Sequence, residues 1–213
     1  MSELVRYLKF SLSSYWRVSS GKGAAAVADS LVLRDGDGLP VLPGKAVKGL
    51  LRDAMEMATL SGAVTKNRVE RWFGSSLPGH SSGDGGDDQE RLLEQGRFSS
   101  REGELWFGSA TLPTAWTNWA RASGSGNETQ DILGALFSLQ ASTAIDDDGT
   151  AKEGSLRVAE VAVPMELTAQ VRGPGGDLSW LDDLRVSLPL LRALGSRRNR
   201  GFGRVDVSLE ERE

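Results

Sequence analysis

The chain has 213 residues, of which 39% are hydrophobic, and a formal net charge of −4. That length allows one domain with insertions or two small domains, and the apolar fraction is enough for a real core. The charge balance excludes nucleic-acid binding through overall charge, and the lack of cysteine excludes disulfides and thiolate metal sites.

The elements are legible in order. Residues 4–12 alternate and predict a strand, with Leu4, Arg6, Leu8, Phe10 and Leu12 on one face. A small-residue loop is expected over 13–29. Two short apolar runs at 31–33 and 39–42 flank Asp35-Gly36-Asp37-Gly38, a hairpin turn. Pro43-Gly44 opens a helix to about residue 60, with Val47, Leu50, Leu51, Ala54 and Ala58 as its buried stripe. A short helix is predicted over 67–73 and a flexible insertion over 74–101, dominated at 74–86 by glycine, serine and aspartate. A strand over 104–112, a helix over 131–139 and a polar excursion over 143–155 follow. The run 157–171 reads as a strand broken at Pro164, then a helix over 178–194 and a last strand over 205–209. With the insertions removed the order is β-α-β-β-α-β, an α+β, ferredoxin-like (RRM-like) arrangement.

Two segments carry the chemistry. Residues 195–204, Gly-Ser-Arg-Arg-Asn-Arg-Gly-Phe-Gly-Arg, put four arginines and three glycines into ten positions. Glycine lets backbone approach a ligand closely, and arginine presents a planar fork that matches phosphate oxygens. The loop is either an anion cradle, through Arg197, Arg198, Asn199, Arg200 and Gly201, or a tight turn with a basic rim. Phe202 is a stacking platform or an anchor for the last strand. The second segment is the helix start at Gly44, where Lys45 and Lys48 add charge to the free N–H donors and Arg52 shares their face. Its alternative is a solvated lysine face. The acids are segregated elsewhere, at 84–90, 146–148 and 210–213. The one histidine, His80, sits in a Gly/Ser/Asp-rich loop and is expected to be exposed rather than catalytic. The first residues lack a signal-peptide core and no apolar run reaches membrane-spanning length, so a cytoplasmic protein without a membrane partner is expected.

Together these segments resemble the RAMP superfamily, the repeat-associated subunits that bind CRISPR RNA. The Pro-Gly-x-x-x-Lys-Gly-x-x-Arg motif of that family is met at Pro43, Gly44, Lys48, Gly49 and Arg52, and its C-terminal glycine-rich loop at 195–203. Trp72-Phe73-Gly74, the 104–112 strand and Ala144-Ile145-Asp146 through Glu160 fall at further landmarks. The resemblance spans nearly the whole chain, as a single domain over 1–213.

Length and the Ala28-Asp29-Ser30 context look most like the repeating backbone subunit of type III effector complexes. That likeness implies partners: a guide RNA, a paired target RNA, copies of the chain and other effector subunits. It implies that 144–163 is a β-hairpin thumb, whose Ile145, Leu156, Arg157 and Val158 face RNA by aliphatic wedging; the alternative is a flexible acidic loop. It implies guide contacts at Lys22, Gly44, Lys45, Lys48 and Arg52 and at the arginine loop. Asp29 is then the catalytic residue, an endonuclease carboxylate holding a divalent metal, expected to be Mg²⁺. The other reading of Asp29 is a turn cap beside Ser30. Two departures from the family pattern stand out. Lys45-Ala46-Val47 replaces a serine-containing stretch, and 17–21 lacks a histidine and a first glycine. A binding-only subunit would carry such changes, and a stand-alone phosphate or nucleotide binder is the more distant alternative.

Overall fold

The computed structural model describes residues 2–21, 23, 28–75, 101–123 and 126–211; Lys22, His80 and most of the 74–101 insertion lie outside them. Alternation along β1 (Glu3–Leu12) buries Leu8, Phe10 and Leu12, as the period-two pattern requires. The helix α1 (Gly44–Leu60) follows, then α2 (Lys66–Phe73) and the short strand β2 (Trp106–Phe107). After two helices, α3 (Thr114–Ser123) and α4 (Asn127–Gly134), come the strands β3 (Phe137–Ser142), β4 (Arg157–Ala162) and β5 (Glu166–Pro174). The helix α5 (Ser179–Ser187) and strand β6 (Val205–Glu210) complete the chain.

One sheet runs β2-β5-β1-β6, with antiparallel neighbours throughout. Its strands and the helices α1 and α5 occur in the expected β-α-β-β-α-β order, so the architecture is ferredoxin-like. The core is a single layer between that sheet and the helices. Leu8, Phe10, Leu167, Ala169 and Val171 from the strands meet Val47, Leu51, Met55, Trp180 and Leu184 from the helices. Within it the carboxylate of Asp183 on α5 accepts from Trp72 Nε1 at 2.6 Å and pairs with Arg68 at 2.8 Å, which ties α2 to α5. Burial pushes the Asp183 carboxyl up, and these two partners oppose that shift.

The other sheet is the hairpin β3–β4, inserted between the paired strands β2 and β5. Here the structure corrects the sequence reading. The expected helix over 131–139 ends at Gly134, and Phe137–Ser142 is a strand paired with Arg157–Ala162. Cross-strand pairing overrides local helix propensity at this point. The predicted 157–171 strand is accordingly two strands in two sheets. The 178–194 helix stops at Ser187 and tightens into a 3₁₀ turn at Leu188–Leu190, because Pro189 has no N–H for a further helical bond. The 104–112 strand pairs at Trp106–Phe107 and again at Thr111 with Thr168, with one extra residue between, a β-bulge.

The hairpin is fastened at its root. The loop after β1 runs along the outer edge of β4, where Trp16 and Ala162 exchange backbone hydrogen bonds of 3.0 and 2.8 Å. Trp16 is fully buried and donates its indole N–H to Val163 O at 3.1 Å. Further along, Glu160 N donates to Ser30 O at 2.9 Å. The buried Glu160 carboxylate accepts from Val32 N at 2.9 Å and from Arg34 at 2.7 Å, and the Arg34 guanidinium lies 3.7 Å over the Phe137 ring.

Glu160→Ala leaves the Val32 N–H without its acceptor, and its expected cost is about 1–3 kcal/mol in urea unfolding, with a smaller loss for Glu160→Gln. Asp177 gives a pH test. It accepts from Ser179 and pairs with Arg71 at 2.7 Å, and these contacts lower its carboxyl pKa from the ordinary 3.8 to about 2. The stabilisation is complete above the ordinary value and is lost as the pH falls toward 2. The Asp177 side-chain carboxyl is therefore expected to titrate near 2 by carbon NMR, and to move up toward the ordinary range in Arg71→Gln/Ser179→Ala, which removes the guanidinium and the hydroxyl but keeps the Ser179 N–H.

Candidate nucleic-acid interface

The arginine loop is closed at its base by an antiparallel bridge between Ala193 and Arg204, and Leu194 N donates to Gly203 O at 2.9 Å. Two of its glycines are fixed by close approach. A side chain on Gly203 would collide with the Leu194 carbonyl, and one on Gly195 with the Arg17 carbonyl; both have positive φ. The loop is stitched to the segment after β1. Gly203 N donates to Tyr15 O at 2.7 Å, Ser196 N to Arg17 O at 2.9 Å and Arg204 N to Ser14 Oγ at 2.9 Å. Gly201, at φ +84°, has open space around its Cα.

Arg197 is the only non-glycine residue with positive φ among the described residues, at +61°. A residue with a side chain is strained there. Its guanidinium donates to Ser142 Oγ at 2.9 Å, at the end of β3. Arg17 lies close by, and burial together with the like charge of Arg197 lowers its pKa. Both guanidinium groups remain charged at neutral pH, so an anion beside them would relieve repulsion.

Ser142, Ile145, Ser155 and Arg157 from the hairpin form a hollow of about 540 Å³ with Arg200 of the loop. Arg200 and Arg157 are exposed, and Ile145 and Leu156 keep 65% and 62% of their surface in solvent, so the apolar wedge residues have no core to fill. Val158 is half-buried. The acidic tip is ordered by its own contacts: Asp146 N donates to Thr150 O at 2.8 Å, and Asp148 accepts from Thr150 N and Oγ1, which lowers the Asp148 pKa.

Asp29 is exposed and docks on the hairpin. Its N–H donates to Val158 O at 2.8 Å, and its Oδ2 accepts from Val158 N at 2.7 Å. It therefore sits one residue from Arg157 of the hollow. No group of three or more histidine or acidic side chains placed to hold a metal occurs among the described residues. Any Mg²⁺ held at Asp29 would therefore be sparsely ligated by protein and would need water and phosphate oxygens to complete its shell.

The helix-start residues stand apart from the arginine loop. Lys45 and Lys48 line a separate cleft of about 360 Å³ with Gly44, Glu102, Glu104 and Trp106. Gly44 packs there against the Phe107 carbonyl, which leaves no room for a side chain. Arg52 is paired with Glu56 at 2.8 Å. Arg198 and the exposed Asn199 instead approach Leu50, Asp53 and Met57, on the side of α1 roughly 140° round from the lysines. Phe202 is half-buried against the last strand, between the loop and its cleft.

Ion pairing sorts the arginines into two sets. Arg6, Arg34, Arg52, Arg68, Arg71, Arg101, Arg121 and Arg185 each pair with a carboxylate. Arg17, Arg157, Arg192, Arg197, Arg198, Arg200 and Arg204 have no carboxylate partner among the described residues and lie on or beside the arginine loop and the adjoining end of the hairpin; Arg172 on β5 also lacks a carboxylate, but it is held by Gln170 Oε1 at 2.7 and 2.9 Å and lies over the Trp106 ring. Ser142 and Arg192 are not legible as site residues in the sequence, because only tertiary folding brings β3 to the loop and Arg192 to the cleft beside it.

A match to the RAMP superfamily extends over residues 9–206. No curated protein is similar to the chain in sequence. Many solved structures share its fold, among them two chains of one effector type. A chain of type III-B Cmr-beta bound to cognate target RNA has 10% identity and a TM-score of 0.65, covering 97% of both chains. A chain of the apo state of type III-B Cmr-beta has 12% identity and a TM-score of 0.62, covering 98% of both. With a family match across almost its entire length and the ferredoxin-like palm in place, the chain belongs to the RAMP superfamily.

Proposed function

We propose that this protein is an RNA-binding subunit of a type III-like CRISPR effector complex, holding the guide strand between its arginine loop and its hairpin. The observation that carries this reading is the gathering of unpaired arginines at one place on a chain of net charge −4. Elsewhere the described arginines are held by carboxylates or, at Arg172, by Gln170 and the Trp106 ring; here the charge is left for an external anion. Arg197 and Arg200 would contact phosphates, and the exposed Ile145 and Leu156 would press against bases at the hairpin. Phosphate contacts position a strand without reading its sequence, which suits a subunit that must accept any guide. Copies of the chain and other effector subunits are the expected partners, and the Cmr-beta neighbours support that setting.

Cleavage of a paired target is the finer part of the proposal. Asp29 lies at Val158, near the end of the β3–β4 ladder that adjoins the arginine loop, where a strand bent by the hairpin would pass. A Mg²⁺ ion held by Asp29 and the target phosphate would supply charge stabilisation at that phosphate. The nucleophile that needs no further protein group is the target's own 2′-OH, which displaces the 5′-oxygen of the next nucleotide. The Asp29 contact to Val158 is itself structural, so the informative variant keeps it. Asp29→Asn retains an acceptor for Val158 N and removes the charge.

In the assembled complex Asp29→Asn is expected to lower target cleavage at least ~100-fold while target binding holds. A 2′-deoxy nucleotide at the cut position should block cutting to the same degree. Unchanged cleavage in Asp29→Asn assigns the residue to the hairpin tie alone and leaves a binding-only subunit. For guide binding, Arg197→Gln/Arg200→Gln should weaken single-stranded RNA binding about tenfold or more. The slope of log K against log salt should become shallower by about 1.4, two phosphate contacts' worth.

A further inference from the structure

A larger cleft lies outside the hairpin hollow, formed by Leu188 to Ala193, the arginine loop and β6. Its volume is about 670 Å³, and Arg192, Arg198 and Arg204 line it together with Gly201 and Phe202. None of the three arginines has a carboxylate partner among the described residues, and all three are exposed. Asp206 is the one acid in the lining, so the cleft carries a surplus of positive charge.

The loop's backbone explains why its arginines diverge. The left-handed turn at Arg197 and the 3₁₀ turn at Arg198–Arg200 direct Arg197 and Arg200 to the hairpin. Arg198 joins Arg192 and Arg204 in the other cleft. Ala193 and Arg204 are bridged, so Arg192 and Arg204 are carried on two rigidly paired segments rather than on a free loop. Three guanidinium groups round a concave site, beside a half-buried phenyl ring, match a phosphate group with an adjoining base.

We propose that this cleft is a second RNA subsite: it holds a phosphate of the same single strand after that strand has crossed the arginine loop from the hairpin side. The new contacts are Arg192 and Arg204, with Arg198 shared between the loop and the cleft. The subsite rests on the RNA-binding reading above. It adds to it a direction of travel, from the Arg200 hollow over Gly201 into the cleft.

The test uses the full chain and a fluorescent single-stranded RNA of about 20 nucleotides, titrated over a range of salt. Arg192→Gln/Arg204→Gln is expected to weaken binding about tenfold and to make the log–log salt slope shallower by about 1.4. Arg192→Lys/Arg204→Lys should restore most of the slope, and Arg185→Gln, which lies in a carboxylate pair, should change neither quantity. An unchanged thermal midpoint in the double variant ties the loss to contact rather than folding. Wild-type affinity and slope in Arg192→Gln/Arg204→Gln, with Arg197→Gln/Arg200→Gln impaired, would overturn the subsite and leave the hairpin reading standing. No RNA binding by the unaltered chain would overturn both. Adenosine monophosphate serves as the second probe: if it binds the unaltered chain and the double variant loses it while RNA binding is untouched, the cleft takes a free nucleotide and the RNA subsite is wrong.

Discussion

The lacing of β4 on both edges is the constraint on which the rest of the interface depends. On one edge β4 pairs with β3; on the other it is held by Trp16, Asp29 and Ser30 from the loop after β1. A two-stranded hairpin alone is marginal in water. Here the buried Trp16 and the Glu160 carboxylate, with its bonds to Val32 N and Arg34, fix it to the palm. The same loop holds the arginine loop through Tyr15, Arg17 and Ser14. One segment thus sets the distance between the hairpin and the arginines, and the hollow between them is a consequence of that shared anchor.

Charge is distributed to match. The paired arginines are spent on the fold, as at Arg68 with Asp183 and Arg71 with Asp177. The unpaired ones sit where the backbone is itself constrained, with Arg197 in a left-handed conformation and glycines at 195 and 203 that admit no side chain. Placing a strained, like-charged cluster on a rigid base is costly unless something binds it. A bound polyanion would resolve that cost, and the net charge of −4 would keep the attraction local.

Much of this was legible in the sequence because it is carried by local pattern. The β1 alternation, the helix opening at Pro43-Gly44 and the glycine-arginine loop each announce themselves within a few residues, and their order leads to the palm. The hairpin was only half legible. Its outgoing strand Phe137–Ser142 reads as a continuation of the α4 helix, and only pairing with Arg157–Ala162 makes it a strand. The helix α3 was not anticipated, since Trp116 and Trp119 pack edge to edge as a pair on a helix with no fully buried residue, leaving a weak periodic stripe. The division of the basic residues was not legible either. Lys45 and Lys48 share a cleft with Glu102 and Glu104, whereas Arg200 meets Arg157; both facts depend on long-range packing.

The proposed RNA path runs between the arginine loop and the end of the hairpin ladder at Ser142 and Arg157. A crystal structure of the full chain with a single-stranded oligoribonucleotide tests it most directly. Phosphates are expected within hydrogen-bond distance of Arg197 and Arg200, with a base against Ile145 or Leu156. RNA bound only along the Lys45–Lys48 cleft, with the arginine loop and hairpin untouched, would contradict it.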